Sequence, residues 1–173
     1  MMKKMVLAGA LFASSFALEF GGLEVSPEIG AIMGRLNGGV QDYSAGGYAR
    51  VWLGTSSVLI APQVRYGLLF NRNDTYEQSI SDVKRLKNAQ YGAALGTNLD
   101  IGILRITPYV GANYSQFDKV YKDTFSYSVG FKVKPTLIPL SIGVQYEQQK
   151  PEIKNTTTKQ KINAAQLFIG LHF

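Results

Sequence analysis

Residues 23–34 read LEVSPEIGAIMG, in which an apolar series alternates with a mainly charged or small one. The apolar series is Leu23, Val25, Pro27, Ile29, Ala31 and Met33, and the other is Glu24, Ser26, Glu28, Gly30, Ile32 and Gly34. Successive side chains of a β-strand point to opposite faces, so this period of two predicts a strand with one apolar face.

The same period returns along the rest of the chain. Apolar residues recur at every second position within residues 48–53, 58–70, 90–99, 104–114, 125–133, 140–146 and 165–173. Together with the first stretch these make eight strands in a chain of 173 residues, a length that fits one domain. The sequence therefore predicts an all-β fold, an eight-stranded antiparallel up-and-down β-barrel.

The residues opposite the apolar series indicate which face of this barrel points inward. They are rich in small side chains, such as Gly92, Ala94 and Gly96 in one stretch. Eight strands enclose only enough room for packed side chains, so the small and polar face is expected inside. A soluble lipocalin-type barrel, with the polarity reversed, is the alternative, but its outer face would be crowded with Lys and Glu. We therefore expect a transmembrane barrel whose apolar face lies in lipid.

The connections between the predicted strands alternate in length. Residues 55–57, 100–102 and 135–138 form short turns, whereas residues 35–46, 71–88, 116–123 and 148–161 form longer, more polar loops. Outer-membrane barrels have short periplasmic turns and longer extracellular loops. The pattern thus predicts four extracellular loops, with both termini in the periplasm.

Aromatic residues of the apolar series gather at the strand ends next to the long loops. They are Phe70, Tyr91, Tyr114, Phe125, Tyr127 and Tyr146. Amphipathic rings favour the boundary between membrane and water, so we expect these side chains to form a girdle around the barrel.

The N-terminus has the pattern of a signal peptide. A basic segment, residues 1–4, precedes an apolar segment, residues 5–16, and Ser15 and Ala17 are the small residues that a signal peptidase reads. The apolar segment is too short to span a bilayer as a helix, which needs about 20 residues. We expect residues 1–17 to be removed and residues 18–173 to form the barrel in the bacterial outer membrane.

Charged residues fall on the interior series as well. They are Glu24, Glu28, Arg50, Arg65, Arg105, Lys132, Lys134 and Glu147. If the first two strands pair about a hairpin centred near residue 39, Glu28 lies opposite Arg50. Because charges held away from water need partners, we expect Glu28, Arg50, Arg65, Arg105 and Glu147 to form a structural ion-pair network. A narrow channel for small polar or anionic solutes is the alternative, since bases outnumber acids there.

Two segments resemble a known family. The ending Leu167-Phe168-Ile169-Gly170-Leu171-His172-Phe173 is similar to the C-terminal signature that the outer-membrane assembly machinery reads, with Leu167, Ile169, Leu171 and Phe173 in its alternate positions. The stretch Thr107-Pro108-Tyr109-Val110-Gly111-Ala112-Asn113-Tyr114 resembles a strand of the OmpA/OmpX-like small outer-membrane barrels. The resemblance implies a monomeric protein with a structural or surface-interaction role, supporting membrane integrity or adhesion through its loops.

The sequence offers little for catalysis. Some small outer-membrane barrels are lipid A acyltransferases or deacylases, in which a histidine acts with a serine. The one histidine of this chain, His172, lies beside the C-terminus, far from the predicted extracellular loops. We therefore expect no enzyme, and the spacing of residues predicts no catalytic group, metal site or cofactor.

The charge of the chain bears on its partners. The net charge is +6, and no run of Lys and Arg is dense enough to predict binding to nucleic acid. Residues 150–161 contain Lys150, Lys154, Lys159 and Lys161 against Glu152 alone. The expected partners are therefore outer-membrane lipids, lipopolysaccharide and a host or surface ligand bound by the loops.

Overall fold

The computed structural model describes residues 18–20, 22–39, 41–55, 57–70 and 85–173. It contains the strands β1 (Leu18–Phe20), β2 (Leu23–Asn37), β3 (Tyr43–Gly54), β4 (Leu59–Phe70), β5 (Arg85–Gly96), β6 (Leu99–Ile101), β7 (Leu104–Phe117), β8 (Thr124–Pro135), β9 (Leu140–Gln149) and β10 (Ile162–His172). The predicted signal peptide and residues 71–84 of the second predicted loop lie outside the described residues. None of the described residues belongs to a helix that could cross a membrane.

Eight long strands close into a barrel. The hydrogen-bonded order is β2-β10-β9-β8-β7-β5-β4-β3, and β3 pairs back with β2. Every pairing is antiparallel, and the two short strands only extend it, β1 beside β2 and β6 beside β7. The predicted eight-stranded antiparallel barrel is confirmed. The shortest of the long strands, β9, has 10 residues, which matches the ~9–11 needed to cross a bilayer as a tilted strand.

The two faces of the wall are oriented as the alternation predicted. In β4 the side chains of Leu59, Ala61, Gln63 and Arg65 are buried, whereas those of Ile60, Pro62, Val64 and Tyr66 are exposed. The same division holds in β9, where Ser141, Gln145 and Glu147 are buried and Ile142, Val144 and Tyr146 are exposed. The polar series thus lies inside and the apolar series outside, the reverse of a lipocalin-type barrel.

Several predicted connections have the wrong bounds. Residues 35–46 do not form a long loop, because β2 continues to Asn37 and β3 begins at Tyr43. Backbone pairing persists beyond the apolar pattern there, with Arg35 opposite Tyr43. Likewise, β5 begins at Arg85 instead of after residue 88, and the turn predicted at residues 100–102 lies at 102–103, where Gly102 has a φ of +61°. Loops 118–123 and 150–161 fall within their predicted ranges.

Glycines let bulky side chains cross the narrow interior. An added Cβ on Gly143 would collide with the Phe168 ring, and one on Gly170 would collide with the Tyr48 hydroxyl. The small residues of the interior series therefore leave the space into which the large interior side chains pack.

Gly30 and Gly47 test this division of space. A Cβ on Gly30, inside the barrel, would collide with the Ile169 carbonyl oxygen and lie 2.7 Å from the Tyr48 ring. On Gly47, facing outward, the nearest atom would be 3.5 Å away. We expect Gly30→Ala to lower the free energy of unfolding by about 1–3 kcal/mol through overpacking, and Gly47→Ala to change it little. Urea titration of the refolded barrel measures both, and equal effects would contradict the packing account.

Candidate functional site

The carboxylate of Glu28 is the centre of the largest polar cluster in the barrel. It accepts hydrogen bonds from Tyr48 Oη (2.6 Å), Arg50 Nε and Nη2 (2.8 and 2.7 Å), Trp52 Nε1 (2.9 Å), Lys132 Nζ (3.2 Å) and Ser141 Oγ (3.3 Å). We call these residues the Glu28 cluster. The register of β2 and β3 places Glu28 directly opposite Arg50, the position that a hairpin centred near residue 39 predicts. The Glu28 side chain is 0% exposed, so its charge depends wholly on these donors.

Aromatic rings surround the Arg50 guanidinium. Its Cζ lies 4.8 Å from the Phe168 ring centroid, 5.0 Å from those of Tyr48 and Trp52, and 5.4 Å from that of Tyr109. Rings at these distances attract a cation through their quadrupoles. Trp52 fills the lumen and is 0% exposed, and the β2–β3 register runs through it without a bulge, with Trp52 opposite Ser26.

A second ion pair lies nearer the loops. Arg65 Nη1 donates to Glu147 Oε2 at 3.0 Å, and Gln90 Nε2 donates to the other oxygen of Glu147 at 2.7 Å. The Arg65 Nη2 group also reaches Gln63 and Gln145. The Arg65–Glu147 pair joins β4 to β9 across the lumen, so it ties opposite parts of the wall together.

The fifth residue of the predicted ion-pair network, Arg105, lies apart from these two groups. Its Nη1 contacts Glu24 Oε2 at 3.1 Å, and its Nε contacts Asp100 Oδ1 at 2.7 Å. Asp100 is half exposed, so this group sits at the open end of the barrel beside the short turns. The predicted charged residues therefore occupy three separate places. Glu28 and Arg50 with Lys132, and Arg65 with Glu147, fill the interior, whereas Arg105 with Glu24 lies at its open end.

An apolar layer closes the end of the lumen beside the loops. It consists of Leu36, Leu69, Leu86, Phe117, Tyr121, Ile162 and Ala164, with Val120 and Ile153 packed against it. We call it the apolar cap. Leu86 and Tyr121 are 0% exposed. Tyr121 belongs to loop 118–123, so a loop contributes a ring to the seal.

Loops 118–123 and 150–161, called the loop pair below, are joined to each other. The N–H of Lys122 donates to the Glu152 carbonyl at 2.7 Å, and the N–H of Lys154 donates to the Val120 carbonyl at 2.8 Å. The ammonium group of Lys122 reaches the Glu152 carboxylate at 2.9 Å. That hydrogen bond and the positive charge of Lys122 hold the pKa of Glu152 below its usual value. The loop pair is thus an ordered surface above the apolar cap.

A serine and the histidine also meet in the lumen. Ser26 Oγ lies 3.0 Å from His172 Nδ1, and His172 Nε2 lies 3.5 Å from Glu28 Oε2. Sequence reasoning did not pair these residues, although Ser26 and His172 both fall on the interior series. All three are at most 3% exposed, and Glu28 is already bound to Arg50. A substrate would have to displace packed side chains to reach Ser26.

The predicted girdle residues and assembly-signal residues lie on the outer wall. Tyr114 packs against Tyr91 and Phe125, with ring centroids 5.4 Å apart in both pairs. Tyr127 and Tyr146 are exposed outward, and Phe70 stacks on Tyr43. Leu167, Ile169 and Leu171 point outward along β10, and the N–H of Phe173 donates to the Pro27 carbonyl at 3.0 Å.

Within the described residues, no three His, Cys, Asp or Glu side chains are grouped to hold a metal ion.

These features define a class of protein. A closed barrel of eight antiparallel strands, apolar outside and filled inside, is the fold of the OmpA/OmpX-like small outer-membrane barrels that the sequence resembles. No family model matches the chain, and no curated protein matches it in sequence.

Three solved structures share this fold. Neisserial surface protein A aligns with a TM-score of 0.53 at 12% identity, over 88% of this chain and 98% of its own. Ail, the attachment invasion locus protein of Yersinia pestis, aligns at 0.53 and 14% identity, over 89% and 100%. The outer membrane enzyme PagL aligns at 0.55 and 12% identity, over 83% and 98%. The similarity to these three structures is one of fold alone. One of them, PagL, is an enzyme.

Replacing Glu28 tests the charge balance of the lumen. We expect Glu28→Gln to lower the free energy of unfolding by about 3–5 kcal/mol, because Arg50 and Lys132 stay buried without their counter-ion. Glu152→Gln, which breaks the exposed pair with Lys122, is the control and should have a much smaller effect. Urea unfolding followed by the heat-dependent gel shift measures both variants. A change of less than about 1 kcal/mol for Glu28→Gln would contradict the assignment of Glu28 as the central counter-ion.

Proposed function

We propose that the protein is a non-enzymatic, non-conducting barrel of the bacterial outer membrane that displays its loop pair as a binding surface. The observation that carries this proposal is the filling of the lumen together with the ordering of the loops above it. The polar-in, apolar-out wall supports the membrane location. A barrel whose interior is largely filled by side chains offers its outer wall and its loops for interaction.

Two layers argue against the narrow channel. In the Glu28 cluster, Glu28, Arg50 and Trp52 are each at most 3% exposed, so this layer excludes bulk water. The apolar cap adds a mainly apolar constriction, and hydrophobic constrictions block ions by dewetting. A solute would have to break the Glu28–Arg50 pair and open the cap.

The burial of the Ser26–His172 pair argues against an enzyme. General-base catalysis needs the base within reach of a bound substrate. Here the pair is enclosed by the Glu28 cluster, and Ser26 is 1% exposed. We interpret the contact as a structural hydrogen bond between two buried polar side chains.

The charge of the loop pair points to an anionic partner. The acidic residues Asp118, Asp123 and Glu152 all accept hydrogen bonds from the protein itself. Lys119, Lys150, Lys154 and Lys161 are exposed and form no ion pair with any described residue. The surface therefore offers free cations at fixed backbone positions, which suits polyanions such as the sulfated or phosphorylated sugars of a cell surface.

The same proposal covers assembly and oligomeric state. The outward residues Leu167, Ile169, Leu171 and the terminal Phe173 are the segment that we propose the barrel assembly machinery binds. All eight long strands are paired within one chain, so the barrel needs no second copy to complete its sheet. We propose a monomer surrounded by lipid.

Conductance tests the filled lumen. We expect the refolded protein, shown to be folded by its gel shift, to give no reproducible single-channel currents in planar bilayers. Arg65→Ala should reduce stability, because Glu147 loses its partner, without creating steady currents. Stable, discrete, anion-selective openings of the unmodified protein would instead support the channel alternative.

Charge reversal tests the loop pair. We expect Lys119→Glu with Lys154→Glu to weaken binding to dextran sulfate about tenfold, with the difference shrinking as salt is added. The control, Arg85→Glu with Lys87→Glu, makes the same change in net charge on the outer wall and should preserve binding. Biolayer interferometry on folded protein in detergent measures both. Equal losses in the two variants would show that net charge, and not the loop pair, determines binding.

A further inference from the structure

A groove runs down the outer wall across β8, β9, β10 and β2. Its upper part, next to the loops, is a depression of about 560 Å³ that includes Arg35, Asp42 and Asn163. Its lower part, of about 630 Å³, includes Phe131, Val144 and Leu167. Tyr146 and Ala165 line both parts, so the two depressions adjoin at these residues. Each has the size of ordinary ligand sites, roughly 300–1,000 Å³.

The strand register explains why the groove forms there. Ala165 on β10 lies between Arg35 on β2 and Tyr146 on β9, and all three face outward. Since Ala165 ends in a methyl group, the space between its two long neighbours stays open. Two residues further along β10, Leu167 pairs with Met33 and Val144, so the floor of the groove continues there in apolar residues.

The polarity of the groove changes along its length. Arg35 is exposed and forms no ion pair with any described residue. Asn163 accepts a hydrogen bond from Gln148 on its side-chain oxygen at 3.1 Å, which leaves its NH₂ group as a donor. Asp42, also in the upper part, brings a carboxylate that would repel a bare phosphate but can accept hydrogen bonds from hydroxyl groups. The upper part therefore suits a head that carries both phosphate and hydroxyls, and the lower part suits a hydrocarbon chain.

We propose that this groove binds one phosphorylated glycolipid of the outer leaflet. Its phosphate lies on the Arg35 guanidinium, whose planar fork matches phosphate geometry. Its sugar hydroxyls lie against Asn163 and Asp42, and one acyl chain passes over Ala165 between Tyr146 and Leu167. The inference rests on the outer-membrane location proposed above.

Native mass spectrometry of the folded protein in detergent tests the groove, with monophosphorylated lipid A as the probe. We expect one lipid bound per protein, and binding about tenfold weaker for Arg35→Ala, which removes the cation, and for Ala165→Phe, which fills the floor. Arg85→Ala is the matched control. Arg85 is exposed and is joined to Arg35 through the paired residues Tyr43 and Phe70, but it lines neither depression.

The other outcomes separate the possible errors. Equal binding by Arg35→Ala and Arg85→Ala would overturn the site. Equal binding of phosphatidylglycerol and lipid A would overturn the choice of a glycolipid. Fractionation of cells that express the full chain tests the location independently. A protein found in the outer membrane without selective lipid binding would refute only the groove, whereas a protein found elsewhere would refute the proposed function.

Discussion

The buried carboxylate of Glu28 constrains the whole barrel. An ionised group without water must be surrounded by donors, and Glu28 obtains them from β3, β8 and β9. Those strands can supply Arg50, Lys132 and Ser141 only if the barrel is closed and in register. The cluster therefore stabilises only the closed barrel with its strands in this register. Glu28 and Arg50 are also direct partners on neighbouring strands, so a slip of one residue between β2 and β3 would turn one of them to the apolar outer face.

The same cluster determines how the remaining interior is used. Arg50 is held among four aromatic rings, and both Arg50 and Lys132 lie against the Trp52 indole, with Lys132 Nζ 4.4 Å from the ring centroid. Bulky rings fit in an eight-stranded barrel where the wall that they pack against lacks side chains, and Gly143 and Gly170 provide that space for Phe168 and Tyr48. The glycine residues and the aromatic residues of the interior series therefore pack against one another, and these two rings depend on glycines for their space.

Much of this could be predicted from the sequence, because strand side chains alternate at a fixed period. The period assigned the interior face and, with a hairpin centred near residue 39, set Glu28 opposite Arg50. It could not give the contact between Glu28 and Lys132, which are separated by 104 residues, because such contacts depend on how all the strands close. The period also missed the burial of Tyr121, because a loop has no regular alternation. It missed the loop bounds because backbone pairing continues through residues 35–37, beyond the end of the apolar pattern.

A filled interior restricts where recognition can occur. A channel or an enclosed active site needs space that the Glu28 cluster and the apolar cap occupy. The outer wall and the loops are therefore the surfaces that remain accessible for binding. The apolar cap joins interior and surface directly, since Tyr121 and Ile153 pack on it and are paired with each other between the two loops. The lysines of the loop pair stand on this anchored backbone, so the fold sets their spacing. If the loop pair binds an anion as proposed, this order would reduce the conformational entropy lost on binding, and the rigid interior would contribute to binding without holding a ligand.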